Sequence, residues 1–213
     1  GTLFKEQYRQ QQPPAHQVAA TLFLRTHLPH TLIMLNEIIT PEELDCLEII
    51  SFPGEISVIS TTGKKFSEAI KHLREQIFIG FDTETKPNFH ANTPRHSTAL
   101  LQLSSETKAY IFRVQKIGIP QELADILSDP EITKVGAAIT DDIRGLQHYR
   151  EFEPQRFIDL QDFVEQYGIL EKSVRKLAGI ILGKRISKAQ QLSNWEAQTL
   201  TQAQKLYAAT DAW

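Results

Sequence analysis

IFIGFDTET (residues 77–85) decides the architecture. Its opening, IFIGFD (77–82), is a short and nearly unbroken apolar run. That predicts a strand covered on both faces, because a half-solvated strand would alternate polar and apolar residues. Its close, FDTET (81–85), sets Asp82 and Glu84 two residues apart. Successive side chains of a strand point to opposite faces, so these two carboxylates share one face. Like charges on one face cost energy unless something neutralises them, and a hard divalent cation does so through carboxylate oxygens. A strand end releasing its acids into solvent is the competing reading, and both stay open on this stretch alone.

Outward from this strand, strand and helix signals alternate. EISVIS (55–60) predicts a short strand, and Lys64–Arg74 a helix with Phe66, Ile70 and Leu73 on one stripe. TALLQLSS (98–105) and AYIFRV (109–114) flank the turn SETK (105–108) as a hairpin. Pro120–Leu127 predicts a helix, ITKVGAAI (132–139) a buried strand with a helix from about Asp141, and RFIDL (156–160) a last strand. Helices follow over Gln161–Tyr167, Ser173–Leu182 and Thr201 onward, the last opening with a capping box, Thr201 to Gln204. Upstream, Thr40-Pro41-Glu42-Glu43 is a helix start, with a capping Thr, a first-turn Pro and acids at the positive end of the dipole. A hairpin inside a series of crossovers predicts a mixed-sheet α/β fold.

Two further elements carry acids. Asp141 and Asp142, in ITDDIRGL (139–146), stand where a buried strand hands over to a helix, a place that suits helix capping as well as metal binding. Tyr207 and Asp211, in KLYAATDAW (205–213), are four apart and share a helix face. The small residues between them, Ala208, Ala209 and Thr210, allow close approach to a sheet or ligand.

Composition narrows the classes. With 213 residues, 41% hydrophobic, the chain can bury one substantial core. One cysteine, Cys46, excludes an intramolecular disulfide and a cysteine-based zinc site, which suits a reducing cytoplasm; it reads as a small core residue. The net charge of −3 hides a basic stretch, where Lys172, Arg175, Lys176, Lys184, Arg185 and Lys188 face Glu171 alone. A phosphate track and a solvated helix face both fit that stretch. Residues 1–33 show no sustained period. Their apolar Val18–Leu24 is too short for a span, which needs about 20 residues, and a basic start and cleavage site are lacking for a signal peptide. Met34 is the sole methionine, so residues 1–33 read as a leader, an added segment or a mis-set start, and 34–213 as one domain with its motifs in 77–213. Intact-mass analysis of the native protein tests this, and a natural product beginning upstream of Met34 contradicts it.

Asp82 and Glu84 closing a buried strand, Asp142 opening a later helix four residues before Leu146, and the Tyr207-x-x-x-Asp211 spacing together resemble the DEDD superfamily of 3′→5′ exonucleases. The likeness runs from about Glu55 to Trp213 and is to the tyrosine subgroup, since Leu206 stands where the sister subgroup carries His. TALLQL (98–103) and SNWEAQTLTQAQKLYAATDAW (193–213) resemble most the Werner-helicase type of exonuclease domain and small stand-alone bacterial relatives. Ribonuclease D resembles it more distantly, because Glu196-Ala197-Gln198 replaces a loop that usually carries Arg. The family's last helix continues past its final Asp, whereas this sequence stops at Trp213.

The resemblance implies a ribonuclease-H-like mixed β-sheet flanked by α-helices, and two divalent cations, Mg2+ or Mn2+, held by Asp82, Glu84, Asp142 and Asp211. Tyr207 would orient the attacking water. Thr83, Lys86, Phe89 and His96 would contact the 3′-terminal nucleotide, Phe89 by stacking on a base or by anchoring its loop. The substrates implied are single-stranded or recessed 3′ ends of DNA or RNA, with a helicase or repair partner and no membrane. A ribonuclease D-like RNA 3′-processing role, a different two-metal nuclease cutting internally, and a non-catalytic nucleic-acid-binding scaffold are the alternatives. Four repelling acids kept together count against the scaffold.

Overall fold

The computed structural model describes residues 35–89 and 96–213. The expected leader and Met34 lie outside the described residues. In chain order the elements are α1 (Pro41–Asp45), β1 (Glu55–Ile59), α2 (Lys64–Arg74), β2 (Phe78–Thr85), β3 (Thr98–Ser104), β4 (Lys108–Phe112) and α3 (Val114–Ile117). They continue with α4 (Gln121–Leu127), β5 (Thr133–Gly136), α5 (Ile139–Gln147), β6 (Phe157–Asp159), α6 (Leu160–Glu165), α7 (Val174–Leu182) and α8 (Gln202–Ala212). The described residues group into two compact units, residues 35–50 with 161–186, and 51–89 and 96–160 with 187–213. Every candidate site residue falls in the second.

The second unit is built on a six-stranded sheet in the order β1-β4-β3-β2-β5-β6. β3 runs antiparallel to β2 and β4, and the other neighbours are parallel, which is the expected mixed sheet. Strand alternation sorts two cores. Ile79 and Phe81 of β2, Leu101 and Leu103 of β3 and Phe112 of β4 pack on one face with Phe66, Ile70 and Leu73 of α2, Leu123 and Leu127 of α4 and Leu146 of α5. On the other face Leu100 and Ile111 meet Trp195, Leu200 and Ala208. Gly80, Asp82 and Glu84 belong to this second face, under α8.

Two boundaries beside the candidate site differ from the sequence expectation. β2 runs on to Thr85, so Asp82 and Glu84 lie within a paired strand whose partners on β3 are Gln102 and Leu100. β5 stops at Gly136, and α5 starts at Ile139 rather than about Asp141. There Ala138 adopts a left-handed φ of 57°, turning the chain out of the strand early.

In the first unit α1 opens at the expected capping Thr40, which goes on to form a capping box with Glu43. Cys46, expected in the core, is exposed, because it is the C-cap of this short helix. The basic stretch is met by carboxylates: Lys172 pairs with Glu165, Arg175 with Asp45 at 2.8 Å, Lys176 with Glu171 at 2.7 Å, and Lys184 with Glu48. That supports the solvated-face reading over a phosphate track.

α8 lies unusually close to β2. A Cβ at Gly80 would sit 1.6 Å from the Ala212 carbonyl oxygen and 2.6 Å from the Ser104 hydroxyl. Gly80→Ala should therefore push the end of α8 off the sheet, costing about 1–3 kcal/mol as overpacking does. Denaturant unfolding measures it, and a variant as stable as wild type would show that α8 tolerates a wider spacing.

Candidate metal centre

Three carboxylates from two distant segments meet at one point. Carboxylate oxygens of Asp82, Glu84 and Asp211 all lie within 4.8 Å of one another, each residue half-buried. Strand alternation aims Asp82 and Glu84 at α8, and the helix supplies Asp211. Its position is set locally: Thr201 caps the helix start by accepting from the Gln204 N–H at 3.1 Å. Ser104 donates its hydroxyl to the Ala212 carbonyl at 3.0 Å, and the Phe52 N–H donates to the Thr210 hydroxyl at 3.0 Å. Ala208 and Ala209, both fully buried, present no side chain that would hold the helix away. Tyr207 stands one turn before Asp211 on the same helix, and the two side chains perturb one another's titration.

Asp142 stands apart from this trio. It belongs to α5, which packs through Ile139 and Leu146 on the opposite face of the sheet. Its carboxylate accepts the hydroxyl of Thr83, the residue between Asp82 and Glu84 that points to that opposite face. Thr83 thus ties the fourth acid to the strand carrying the first two. α5 is not capped by Asp141 or Asp142, which lie in its first turn. The carboxylate of Asp159 on β6 accepts the N–H groups of Ala138 and Ile139 at 3.0 and 3.1 Å instead. The sequence reading passed over Asp159; its only signal is an acid ending a short strand, which spacing cannot link to a helix about twenty residues earlier.

All four acids are hard to ionise. Burial first, then Asp211 and Asp142, push the Asp82 carboxyl well above the usual carboxylate range. Burial, then Asp82, Asp211 and Asp142, raise Glu84 to about 10. Burial raises Asp211 to about 7 against the opposing bond from Tyr207, and raises Asp142 to about 6 against the bond from Thr83. Burial and then the charge of Asp211 drive the Tyr207 phenol upward, so it keeps its proton. Among the described residues no Lys, Arg or His pairs with any of the four acids. Half-buried carboxylates lacking a protein counter-charge are a donor set that fits a hard divalent cation.

The predicted substrate contacts are placed less uniformly. Lys86 and His96 both turn to Glu196, at 3.5 and 3.0 Å. Glu196 also accepts from Gln115 at 3.1 Å, so it gathers both ends of the loop beyond β2. The sequence reading noted Glu196 only as a missing Arg. The Thr83 N–H is directed at the Asp82 carboxylate. Phe89 is 73% exposed. Basic residues not singled out in the sequence line a groove of about 340 Å³: Lys65 and Lys205 stand beside Ile56 to Val58 of β1 and Gln202 of α8. Among the described residues, neither lysine forms an ion pair.

Comparison with known proteins follows the same lines. The family model described as 3′-5′ exonuclease matches residues 57–213. The bifunctional 3′-5′ exonuclease/ATP-dependent helicase WRN of Mus musculus is 31% identical over 211 residues, covering 91% of this chain and 15% of that protein. Ribonuclease D of Gluconacetobacter diazotrophicus is 28% identical over 156 residues, covering 72% of this chain and 39% of that protein. The chain thus spans less than half the length of either relative. Among solved structures, the Aedes aegypti Nibbler EXO domain shares the fold with a TM-score of 0.67 at 22% identity, covering 76% of this chain and 86% of that one.

The raised carboxyls predict a pH dependence. A group with a raised folded-state value contributes stability that is complete below its unfolded value of about 4 and is lost as pH climbs through the folded value. The window here runs from about 4 through about 6 and 7 toward 10. In chelator, Asp211→Asn should melt above wild type by a margin that widens between about pH 5 and 8. Saturating Mn2+ should raise the wild-type melting temperature more at the upper end of that range, because ligands must shed protons to bind. A margin that stays flat with pH would contradict the assigned burial.

Proposed function

This chain belongs to the 3′-5′ exonuclease family, and on that premise we propose that it removes nucleoside 5′-monophosphates from the 3′ ends of DNA or RNA. The observation that carries this is the convergence of Asp82, Glu84 and Asp211 within 4.8 Å, with Asp142 tied by Thr83 to the strand that carries the first two. We assign Asp82, Glu84 and Asp211 as direct ligands of two divalent cations, magnesium or manganese, and Asp142 as a ligand through water. When bound, such ions supply charge that stabilises the attacking and leaving oxygens of an in-line displacement.

The chain's own groups do the rest. Burial and the neighbouring acids keep the Tyr207 phenol protonated, and its oxygen can still accept from the attacking water and fix its direction. A protonated phenol is a poor base, so its role is orientation. On this reading Tyr207 puts the chain in the tyrosine subgroup. The exposure of Phe89 supports its stacking on a base, a contact worth roughly 1–3 kcal/mol. Lys65 and Lys205 supply phosphate contacts without a competing carboxylate. Single-stranded or recessed 3′ ends suit such a site. A helicase or repair partner extends the reading, as does a cytoplasmic setting. Among the described residues no helix is long and apolar enough to cross a membrane.

Asp82→Ala should abolish release of mononucleotides from a 3′-labelled oligonucleotide while leaving the fold intact; digestion at the wild-type rate would sink the assignment. Chelation should stop the wild-type reaction, and added Mg2+ or Mn2+ should restore it. A circular single strand should survive, since an endonuclease would open it. Lys65→Ala combined with Lys205→Ala should weaken oligonucleotide binding and lower its salt slope by about 1 to 2. Parallel assays on single-stranded DNA, recessed duplex and RNA decide the preferred polymer.

A further inference from the structure

Gln102 is a buried polar residue with no visible reason to be there. It sits in the middle of β3, is 0% exposed, and has both Leu101 and Leu103 as apolar neighbours in sequence. Neither its side-chain nitrogen nor its side-chain oxygen has a hydrogen-bond partner. Almost all buried polar groups are paired, so an orphaned carboxamide calls for a specific explanation. A leucine there would avoid the desolvation of an amide.

Its location supplies the explanation. In the β2–β3 register Gln102 is the direct partner of Asp82, and in the β3–β4 register it is the partner of Ile111. Directly opposed residues of an antiparallel pair share a face, with Cβ atoms about 4.5–5.5 Å apart. Gln102 therefore lies on the face covered by α8, alongside Asp82. Its neighbours on that face are accounted for: Ser104 bonds the Ala212 carbonyl, and Leu100 packs with Trp195 and Ala208. Gln102, opposite Asp82 in the strand register, brings an unused N–H donor to a carboxylate that, once ionised, offers acceptors alone.

We propose that Gln102 is a positioning residue of the metal centre, its side-chain amide donating to the Asp82 carboxylate when a divalent cation is bound. The proposal rests on the metal-site reading above and adds a group to it. A hydrogen bond from behind fixes the orientation of a ligating carboxylate and favours its ionised form, as outer-shell partners of metal ligands do. The amide is neutral, so it orients Asp82 without competing with the cation for negative charge.

The test compares Gln102→Leu with wild type by Mn2+ titration, read by calorimetry and by melting temperature, with no substrate present. In chelator the variant should melt at or above the wild-type temperature, because an unpaired buried amide has been removed. Its Mn2+ affinity should fall about 10- to 100-fold. With an oligonucleotide, kcat at limiting Mn2+ should drop and partly recover at saturating Mn2+, while KM stays near wild type. A role confined to packing would leave the affinity unmoved. Should Gln102→Leu not fold, Gln102→Met keeps the length and volume and removes the donor. Wild-type Mn2+ affinity in whichever variant folds overturns the proposal. A wild-type protein showing no Mn2+ response would remove this proposal together with the metal site, whereas a responding wild type matched by both variants removes only the role of Gln102.

Discussion

Mutual repulsion among four carboxylates is the constraint around which the second unit is organised. Asp82, Glu84 and Asp211 are brought within 4.8 Å in a half-buried position, and no basic side chain among the described residues answers them. Desolvation opposes ionisation at all three, and like charge adds to it at Asp82 and Glu84, so each of these carboxyls is displaced upward. Such an arrangement persists only if the scaffold holds it by other means. Backbone approach of α8 to β2 at Gly80, the Ser104 and Thr210 hydrogen bonds and the buried alanines of α8 are those means. The cost of assembling the acids is borne by packing distributed over the sheet, and a cation converts that cost into binding affinity.

The sheet also divides the labour between its faces. Asp82 and Glu84 look toward α8, whereas Asp142 arrives from α5 on the far side and is caught by Thr83. One strand therefore presents alternate residues to two helices and links acids from both. Asp159 steadies α5 from the next strand, so the position of Asp142 depends on an acid that holds no place in the cluster itself. Charges elsewhere follow a simpler rule. In the first unit the basic stretch meets its own carboxylates, while Glu196 draws Lys86 and His96 together beside the chain leaving β2.

Much of this was legible in the sequence. The 64–74 helix with its Phe66, Ile70 and Leu73 stripe, the 98–112 hairpin and the helix caps at Thr40 and Thr201 are local signals, governed by period and by hydrogen bonds three residues apart. The facing of Asp82 with Glu84, and of Tyr207 with Asp211, follows from strand and helix periodicity alone. What escaped was non-local. The early start of α5 depends on an Asp159 carboxylate from another strand, Cys46 is exposed because its helix is only five residues long, and Glu196 acquires its role from side chains about 100 residues upstream.

The chain's residue order by itself determined which acids share a face, which segments are strand or helix, and which family pattern they match, because those properties arise from repeats of two and 3.6 residues along one backbone. Only the tertiary structure decided that Asp211 reaches Asp82 while Asp142 is held across the strand, that Lys172, Arg175, Lys176 and Lys184 are already paired with carboxylates, and that Gln102 lies opposite Asp82 with no partner among the described residues. Those outcomes turn on strand register and on how closely a helix can approach a sheet, and both are set by contacts between residues far apart in the chain.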